Sequence, residues 1–464
     1  MGNELTRNTN TLAVQKIPII FVPGVMGTRL SLPRGLLSRA WDPDNTAAIL
    51  QWPLLTADDE RVVLEAARPG TIIHQPLRAS FINPQAQKVE PDQADRNWGE
   101  VVSSFYVPFL RFMTQKFGLF QTPVYALGYD WRQSNRDSGT EIATRAKDIL
   151  TKENDAQKFI LISHSMGGLV TRSMLQNDAA LSAKLLGIIH VMQPAVGAAV
   201  FYRRIYTGAI SPQDGTGVAG AVLNRILGTS GDSFATVVSG LRGPTELMPT
   251  PDYTEDGTAG QWMHFFFGNP PVQVAVGGKA VGFQPYREPD HPPGLGAPKT
   301  FSSVNIADEL RNRVNQAEAF HTALGLFKHP NTWAIYSTGL ETDVAFHMRQ
   351  DKSIDLTTGR PARGDGTVPE SSARVLFPPS EPGRRLADLC NGDPRLFKVD
   401  NVEHAQGMGD SSVQELVKAI VEKILGLRCL PPAPPSRSSQ TDEGGGGTKE
   451  YVESTDDETF TKPA

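Results

Sequence analysis

Residues 158–175 read KFILISHSMGGLVTRSML. An apolar run rich in β-branched residues leads into Ser163-His164-Ser165-Met166-Gly167-Gly168, and an amphipathic helical pattern starts at once. A strand that turns sharply into a helix around a serine lifts the hydroxyl above the sheet edge. It also aims the next backbone N–H at the same point, and it leaves no room for side chains two residues to either side. Gly167 meets that requirement on one flank and the small Ser163 stands on the other. A serine that merely caps a helix would need neither the strand nor the small flanks. Since a serine hydroxyl is a weak nucleophile at neutral pH, the turn predicts a nucleophilic Ser165 that needs a base, an orienting acid and oxyanion donors. The Met166 amide is the first of those donors.

Working outward, similar short apolar runs recur: IPIIFV from Ile17, VYALG from Val124, GIIHVM from Gly187, WAIYST from Trp333 and LFKVD from Leu396. Most are followed by a turn signal and a helical pattern. Near-continuous apolar strands alternating with helices imply an α/β class with a mostly parallel sheet covered on both faces. Past Ser411, Val413, Leu416, Val417, Ile420, Val421, Ile424 and Leu425 form one stripe at helical spacing, which predicts a closing helix.

Two regions interrupt this order. One, about 30–96, is rich in Pro, Asp and Trp. The other, about 198–330, carries Gly/Pro clusters and scattered aromatics and is long enough to be an inserted cap. The expected organisation is a flexible terminus over 1–15, a core over 16–430 with these two insertions, and a disordered Pro-, Ser-, Gly- and acid-rich tail over 431–464.

The bulk properties exclude several classes. A formal net charge of −5 and the lack of a basic stripe give no attraction for nucleic acid. No run approaches a membrane span of roughly 18 apolar residues, and the polar N-terminal stretch lacks the apolar core of a Sec signal. The expected location is the cytoplasm, or outside it by an export route that reads no Sec signal. Two cysteines, Cys390 and Cys429, make neither a disulfide framework nor a metal cluster. They read as two buried thiols, with one bond between them as the alternative.

The nucleophile's partners follow from order and strand-end context. Asp365 lies in RGDGTVPESS, past the WAIYST strand, and His404 lies in VDNVEHAQGM, between the LFKVD strand and the closing helix. Serine, acid, then histidine, on loops after successive strands, is one of the chain orders in which such a trio occurs. His190 sits within a strand and reads as core. His164 belongs to the turn itself, where it packs or bonds rather than acting as the base. His264, His291, His321, His329 and His347 fall in or beside the insertions, and no metal-ligand pair stands out among them.

Together, PIIFVPGVMGTRL from Pro18, YDWRQSN from Tyr129, SHSMGG from Ser163 and GDGTVP from Gly364, with a final histidine and the short ELMP from Glu246, resemble the lecithin:cholesterol acyltransferase-like family of α/β-hydrolases, which includes lysosomal phospholipase A2 and related bacterial lipases. The resemblance covers about 16–430, with gaps over the two insertions. It implies an α/β-hydrolase fold with an inserted cap, a catalytic Ser165, Asp365 and His404, and oxyanion donors at the Val25 and Met166 amides. It implies no cofactor and no metal. Asp130 and Arg132 are expected to brace their loop as an ion pair, and Trp131 to pack. The family's disulfide pattern is absent here.

The implied activity is serine lipase or phospholipase hydrolysis of lipid esters through an acyl-enzyme. Acyl transfer to an alcohol, a secreted phospholipase toxin, and a catalytically dead lipid-binding fold are the alternatives. The implied partner is a lipid ester or phospholipid, met in transient contact with a membrane surface. Substrate-binding residues are not assigned. Val196, Val200, Phe201, Leu247, Trp262 and Phe265 to Phe267 are apolar candidates for an acyl pocket in the cap.

Overall fold

The computed structural model describes residues 15–31, 40–44, 52, 56–64, 72–73, 91–118, 121–208, 228, 230–250, 252–255, 258–259, 263–267, 272–275, 300–301, 304–344, 346–348, 354–355 and 361–427. The chain divides into two units, Met1–Leu430 and Pro431–Ala464, and everything described belongs to the first. The expectations of a disordered tail and, but for Gln15, of a flexible N-terminus fall on residues outside the described ones.

Each apolar run singled out above forms a strand. In chain order the main elements are β1 (Ile19–Val22), α1 (Ser103–Phe117), β2 (Val124–Ala126), α2 (Asn135–Lys152), β3 (Phe159–His164), α3 (Gly167–Asn177) and β4 (Leu185–Val191). They continue with α4 (Gly231–Val238), α5 (Ile306–Leu324), β5 (Thr332–Thr338), β6 (Leu396–Asp400) and α6 (Ser411–Ile424). The six strands pair in the order β6-β5-β4-β3-β1-β2, every pair parallel. This is the doubly covered parallel sheet that the strand pattern implies, and it fits the α/β-hydrolase fold that the motif resemblance implies.

Period-two alternation divides each strand between two apolar layers. Ile20, Val22, Tyr125, Phe159, Leu161 and Ile188 face one layer, where Ile142, Ile149, Val170 and Met174 of α2 and α3 pack. Ile19, Phe21, Val124, Ile160, Ile162, Ile189 and Phe397 face the other, against Val107 and Leu110 of α1 and the Val413, Leu416, Val417, Ile420, Val421 stripe of α6. A strand buried on both faces must be apolar almost throughout, which is why the runs are continuous rather than alternating.

The helix starts are capped from far and near. Asp410 accepts from the Ser412 and Val413 amides at 2.8 and 3.3 Å to open α6. For α1 the cap comes from the first insertion: the Asp44 carboxylate accepts from the Ser103 and Ser104 amides at 2.6 and 3.0 Å. Carboxylates at these positions satisfy free N–H groups and complement the helix dipole.

The insertions also have regular parts. In the first, Leu30–Ser31 pairs antiparallel with Ala40–Trp41 and with Ile72–Ile73. The Trp41 indole packs edge-on against Trp52 and Trp131, with ring centroids 5.9 and 5.4 Å away. In the second, Met263–Phe267 pairs with Val272–Ala275 and with Phe346–Met348, and the latter with Ile354–Asp355. Two strands of this small sheet therefore come from beyond β5, so the cap is not confined to 198–330. The chain runs through β5 and returns to the cap, a long-range pairing that local sequence does not announce. Among the described residues no helix is long and apolar enough to cross a membrane.

Cys390 is disulfide-bonded, which corrects the expectation of two thiols. The chain's one other cysteine, Cys429, lies outside the described residues.

The YDWRQSN loop is a buried polar knot. Arg132 is fully buried and donates through Nε and Nη2 to the two carboxylate oxygens of Asp130, each at 2.8 Å. Trp131 is equally buried and donates to the Thr28 carbonyl at 3.3 Å, so it packs as expected. Glu246 of the ELMP stretch accepts from the Ser134 hydroxyl at 2.7 Å and from the Asn135 amide and side chain at 2.8 Å each. One carboxylate thus caps α2 and locks two sequence motifs together. Burial pushes the Glu246 carboxyl up to about 7, the donors and Arg242 opposing it only in part.

Two outcomes follow. Arg132→Met strands the buried Asp130 charge and is expected to lower stability by about 3–5 kcal/mol in denaturant unfolding. Because Glu246 binds its proton more tightly folded than unfolded, its contribution is full below the ordinary carboxylate value of 4.5 and is lost as pH rises through about 7. Unfolding free energy should therefore fall between pH 5 and 8, and Glu246→Gln should flatten that slope.

Candidate active site

All six strands of a parallel sheet end on the same edge, so loops that leave their carboxyl ends meet there. Ser165 follows β3 directly, and its backbone is left-handed, with φ of 52°. A non-glycine residue in that region is strained and persists only where its surroundings hold it. Here the hold is steric. A Cβ on Gly167 would lie 2.4 Å from the Pro23 carbonyl oxygen and 2.7 Å from that of Val22, so the start of α3 presses on the exit of β1. Ser163, at the other small position, donates or accepts at 2.8 Å with Nδ1 of the buried His190 across the β3–β4 pairing. His190 is thus core, as expected, and burial pushes its imidazole down to about 3.

Asp365 and His404 arrive from β5 and β6, the two strands at one side of the sheet. Past β5, the antiparallel pair Leu340–Asp343 and Pro361–Gly364 delivers Asp365. His404 lies four residues past the end of β6. The His404 Nδ1–H donates to Asp365 Oδ2 at 2.7 Å, and the Ser165 hydroxyl donates to His404 Nε2 at 2.8 Å. The other carboxylate oxygen, Oδ1, accepts from the Thr367 and Val368 amides at 2.9 and 2.6 Å. A second bond, from the His404 amide to the Asp365 carbonyl at 3.0 Å, aligns the two loops. The structure therefore brings Ser165, His404 and Asp365 into one hydrogen-bonded line. Asp365 is almost wholly buried and the His404 side chain is 15% exposed, so the acid is shielded while the base stays within reach of solvent.

The turn that carries one of the expected oxyanion donors lies against the nucleophile. A Cβ on Gly24 would lie 2.9 Å from Ser165 Cβ and 3.4 Å from its Oγ, so the turn after β1 touches the nucleophile. The next residue is Val25. Among the described residues nothing accepts from the Val25 or Met166 amide, although the Gly27 amide closes the same turn on the Gly24 carbonyl at 3.1 Å. Two further bonds set this turn in place: the Trp41 indole donates to the Met26 carbonyl at 2.9 Å, and the Gly24 amide donates to the Tyr106 hydroxyl at 3.1 Å.

His164 bonds on both ring nitrogens, Nδ1 to the Tyr106 hydroxyl and Nε2 to the His404 carbonyl, each at 3.1 Å. Sequence reasoning gave His164 a packing or bonding role but missed Tyr106, which lies 58 residues upstream in a helix stripe like any other. Of the cap candidates, Val196, Val200 and Phe201 are buried, and Leu247 packs partly buried against Leu169 of α3. Trp262 and the side chains of Phe265 to Phe267 lie outside the described residues. His321 is buried and bonds through Nε2 to the Glu246 carbonyl at 2.6 Å, a structural role. Among the described residues no group of three or more His, Cys, Asp or Glu side chains is arranged to hold a metal ion.

Comparison with known proteins agrees with this geometry. Residues 106–269 match the family model described as lecithin:cholesterol acyltransferase. That span holds YDWRQSN, the serine turn and ELMP, so the resemblance read from the motifs is borne out there. The fold is similar to that of a chain in the crystal structure of the Tle4–Tli4 complex, with a TM-score of 0.62 and 18% identity over 89% of this chain and 99% of that one. Weaker likenesses are to lipase 1 from Pelosinus fermentans (TM-score 0.33, 10% identity, 89% and 100% covered) and to EstA from Clostridium botulinum (0.33, 11%, 92% and 91%). The uncharacterized protein YJR098C of Saccharomyces cerevisiae (strain ATCC 204508 / S288c) is 38% identical over 72 residues, 16% of this chain. The match spans 10% of that relative's length.

If Asp365 holds the His404 tautomer, Asp365→Asn should leave the fold intact and lower kcat on any ester substrate by about 10⁴-fold. A pre-steady-state measurement of acylation would read that loss directly.

Proposed function

From a chain whose residues 106–269 match the lecithin:cholesterol acyltransferase family, we propose a serine lipase or phospholipase that hydrolyses carboxylic esters of lipids through an acyl-enzyme. The observation that carries this is the hydrogen-bonded line Asp365–His404–Ser165. Each atom in that line has one job. The Asp365 carboxylate keeps the proton on His404 Nδ1, which leaves Nε2 bare to accept the Ser165 proton. As Oγ attacks the ester carbonyl, negative charge develops on the carbonyl oxygen, and in this reading the Met166 and Val25 N–H groups receive it. His404 then passes the proton to the departing alkoxide, and the same base draws a proton from water to release the acid.

The substrate class rests on the family, and its finer features are part of the proposal. A phospholipid or other lipid ester would enter from a membrane or micelle surface, with the cap covering the acyl chain. The family's name favours a second reading, in which the acyl-serine is passed to an alcohol instead of water. Which acceptor wins depends on how well the closed site excludes water.

The test is fatty-acid release from phosphatidylcholine vesicles and from a short p-nitrophenyl ester, wild type beside Ser165→Ala. The expected result is activity on both, reduced at least about 10³-fold in the variant. Acyl transfer to an added alcohol faster than hydrolysis would favour the second reading. A wild type that is inert on both esters, and that a fluorophosphonate leaves unlabelled at Ser165, would refute the enzyme assignment.

A further inference from the structure

Beside the three-residue line runs a second hydrogen-bonded chain that the acyl-enzyme mechanism leaves unused. The Gly24 N–H donates to the Tyr106 hydroxyl oxygen at 3.1 Å, the Tyr106 hydroxyl meets His164 Nδ1 at 3.1 Å, and His164 Nε2 meets the His404 carbonyl at 3.1 Å. We propose that Tyr106 and His164 are positioning residues that fix the oxyanion turn, Gly24–Val25, in register with the loop that carries the base. This rests on the serine hydrolase reading and deepens it.

The direction of every bond is set from the ends. A backbone N–H at Gly24 only donates, so the Tyr106 oxygen accepts there and its own O–H is left to donate. A carbonyl at His404 only accepts, so His164 carries its proton on Nε2 and presents a bare Nδ1 to Tyr106. A neutral His164 satisfies all three bonds at once. A protonated ring would bring an N–H against the tyrosine oxygen and leave the phenolic hydrogen with no acceptor in the chain. Burial and the neighbouring His404 push the imidazole down to about 3, so the neutral form holds across the working range.

The packing is built around this hydroxyl. Tyr106 and His164 are both buried, and the tyrosine ring lies 5.0 Å from Phe21 of β1 and 5.9 Å from His164, centroid to centroid. The turn wraps the hydroxyl closely: a Cβ on Gly27 would lie 2.8 Å from Tyr106 Oη, while one on Gly24 would strike Ser165. The same short turn therefore faces the nucleophile through Gly24 and the tyrosine through Gly27. Shifting it by an ångström moves the Val25 amide off the developing oxyanion without touching the substrate's own contacts, and misplacements of that size cost about 10²-fold in rate.

Tyr106→Phe keeps the ring and deletes only the hydroxyl, so the variant should fold. The expected result, on a short p-nitrophenyl ester with active sites titrated, is a kcat lower by about 10–100-fold and a KM within about twofold of wild type. Affinity for a trifluoromethyl ketone, whose adduct with Ser165 occupies the oxyanion hole, should fall by the same factor. Glutamine keeps a donor and an acceptor but mounts both on one amide carbon, so it cannot reach the His404 carbonyl and the Tyr106 hydroxyl at once as the ring does, and His164→Gln should show a similar loss. The double variant should be no worse than either single, since both break one chain. Wild-type kcat and ketone affinity in Tyr106→Phe would overturn the proposal. So would a kcat loss with unchanged ketone affinity, or losses that multiply in the double variant. If the wild type itself neither cleaves the ester nor takes a fluorophosphonate on Ser165, the hydrolase reading has failed first and this inference falls with it.

Discussion

The left-handed backbone at Ser165 is the constraint on which the site depends. A side chain in that conformation costs on the order of 1–2 kcal/mol relative to the right-handed region, and β3 and α3 must be clamped tightly enough to hold it. The clamp is the contact of Gly167 with the Pro23 and Val22 carbonyls, where even a methyl group would collide. That contact does two things at once. It forces the serine hydroxyl up from the sheet edge, and it brings the exit of β1, with the oxyanion turn, against the nucleophile. Smallness at Gly167 and Gly24 is thus a consequence of two strand exits sharing one space, and the parallel sheet sets where that space lies.

The fold was legible because burial on both faces makes sheet strands locally conspicuous. Each run from Ile17, Val124, Lys158, Gly187, Trp333 and Leu396 carries a strand of the central sheet, and the α6 stripe buries as its spacing implied. Ser165, Asp365 and His404 were legible too, since each sits where a strand ends and a glycine-rich or polar loop begins. The structure brings them within hydrogen-bond distance although up to 239 residues separate them. What local sequence conceals is pairing at a distance with no pattern of its own. Tyr106 occupies an apolar helix position, and only its hydroxyl, turned toward Gly24 and His164, gives it a further part. Glu246 looked like one letter of a short motif, yet its carboxylate meets the Ser134 hydroxyl and Asn135, on the far side of two strands, β3 and β4, in the chain. The extra strands of the cap sheet, from beyond β5, belong to the same class.

The way the second insertion meets the core follows from unmet backbone groups. The last carbonyls of a helix have no intrahelical partner, and cations are favoured there. Arg172, buried on α3, donates to the Gly325 and Phe327 carbonyls just past α5 at 2.7 and 2.8 Å, and to the Ala195 carbonyl at 3.0 Å. Gln176, one turn on, donates to the Ala323 and Leu324 carbonyls at 3.1 and 3.3 Å. The helix that begins at the nucleophile therefore also anchors the end of the insertion. On the other side, Arg203 in the helix Val200–Thr207 makes two 2.6 Å bonds to Asp343, on the strand paired with the one that delivers Asp365. Both ends of the second insertion are thus fastened to elements next to the proposed catalytic groups.

Electrostatics explains why the residue beside the proposed nucleophile should be a histidine whose burial disfavours its charged form. In the proposed acylation step His404 becomes an imidazolium, with the Asp365 carboxylate on one side to stabilise it. A cation on the other side would raise the cost of that step. His164 stacks its ring 5.2 Å from that of His404, centroid to centroid, and bonds to its carbonyl. A lysine or arginine could supply a donor to that carbonyl, but only with a charge attached. A serine or leucine could stay neutral, but neither reaches both the carbonyl and the tyrosine. A buried imidazole, held neutral by its own desolvation, gives a donor at one end and an acceptor at the other in a single rigid ring. The base loop and the oxyanion turn are then held apart at a fixed distance with no added charge between them, while the one group that must gain a proton remains free to do so.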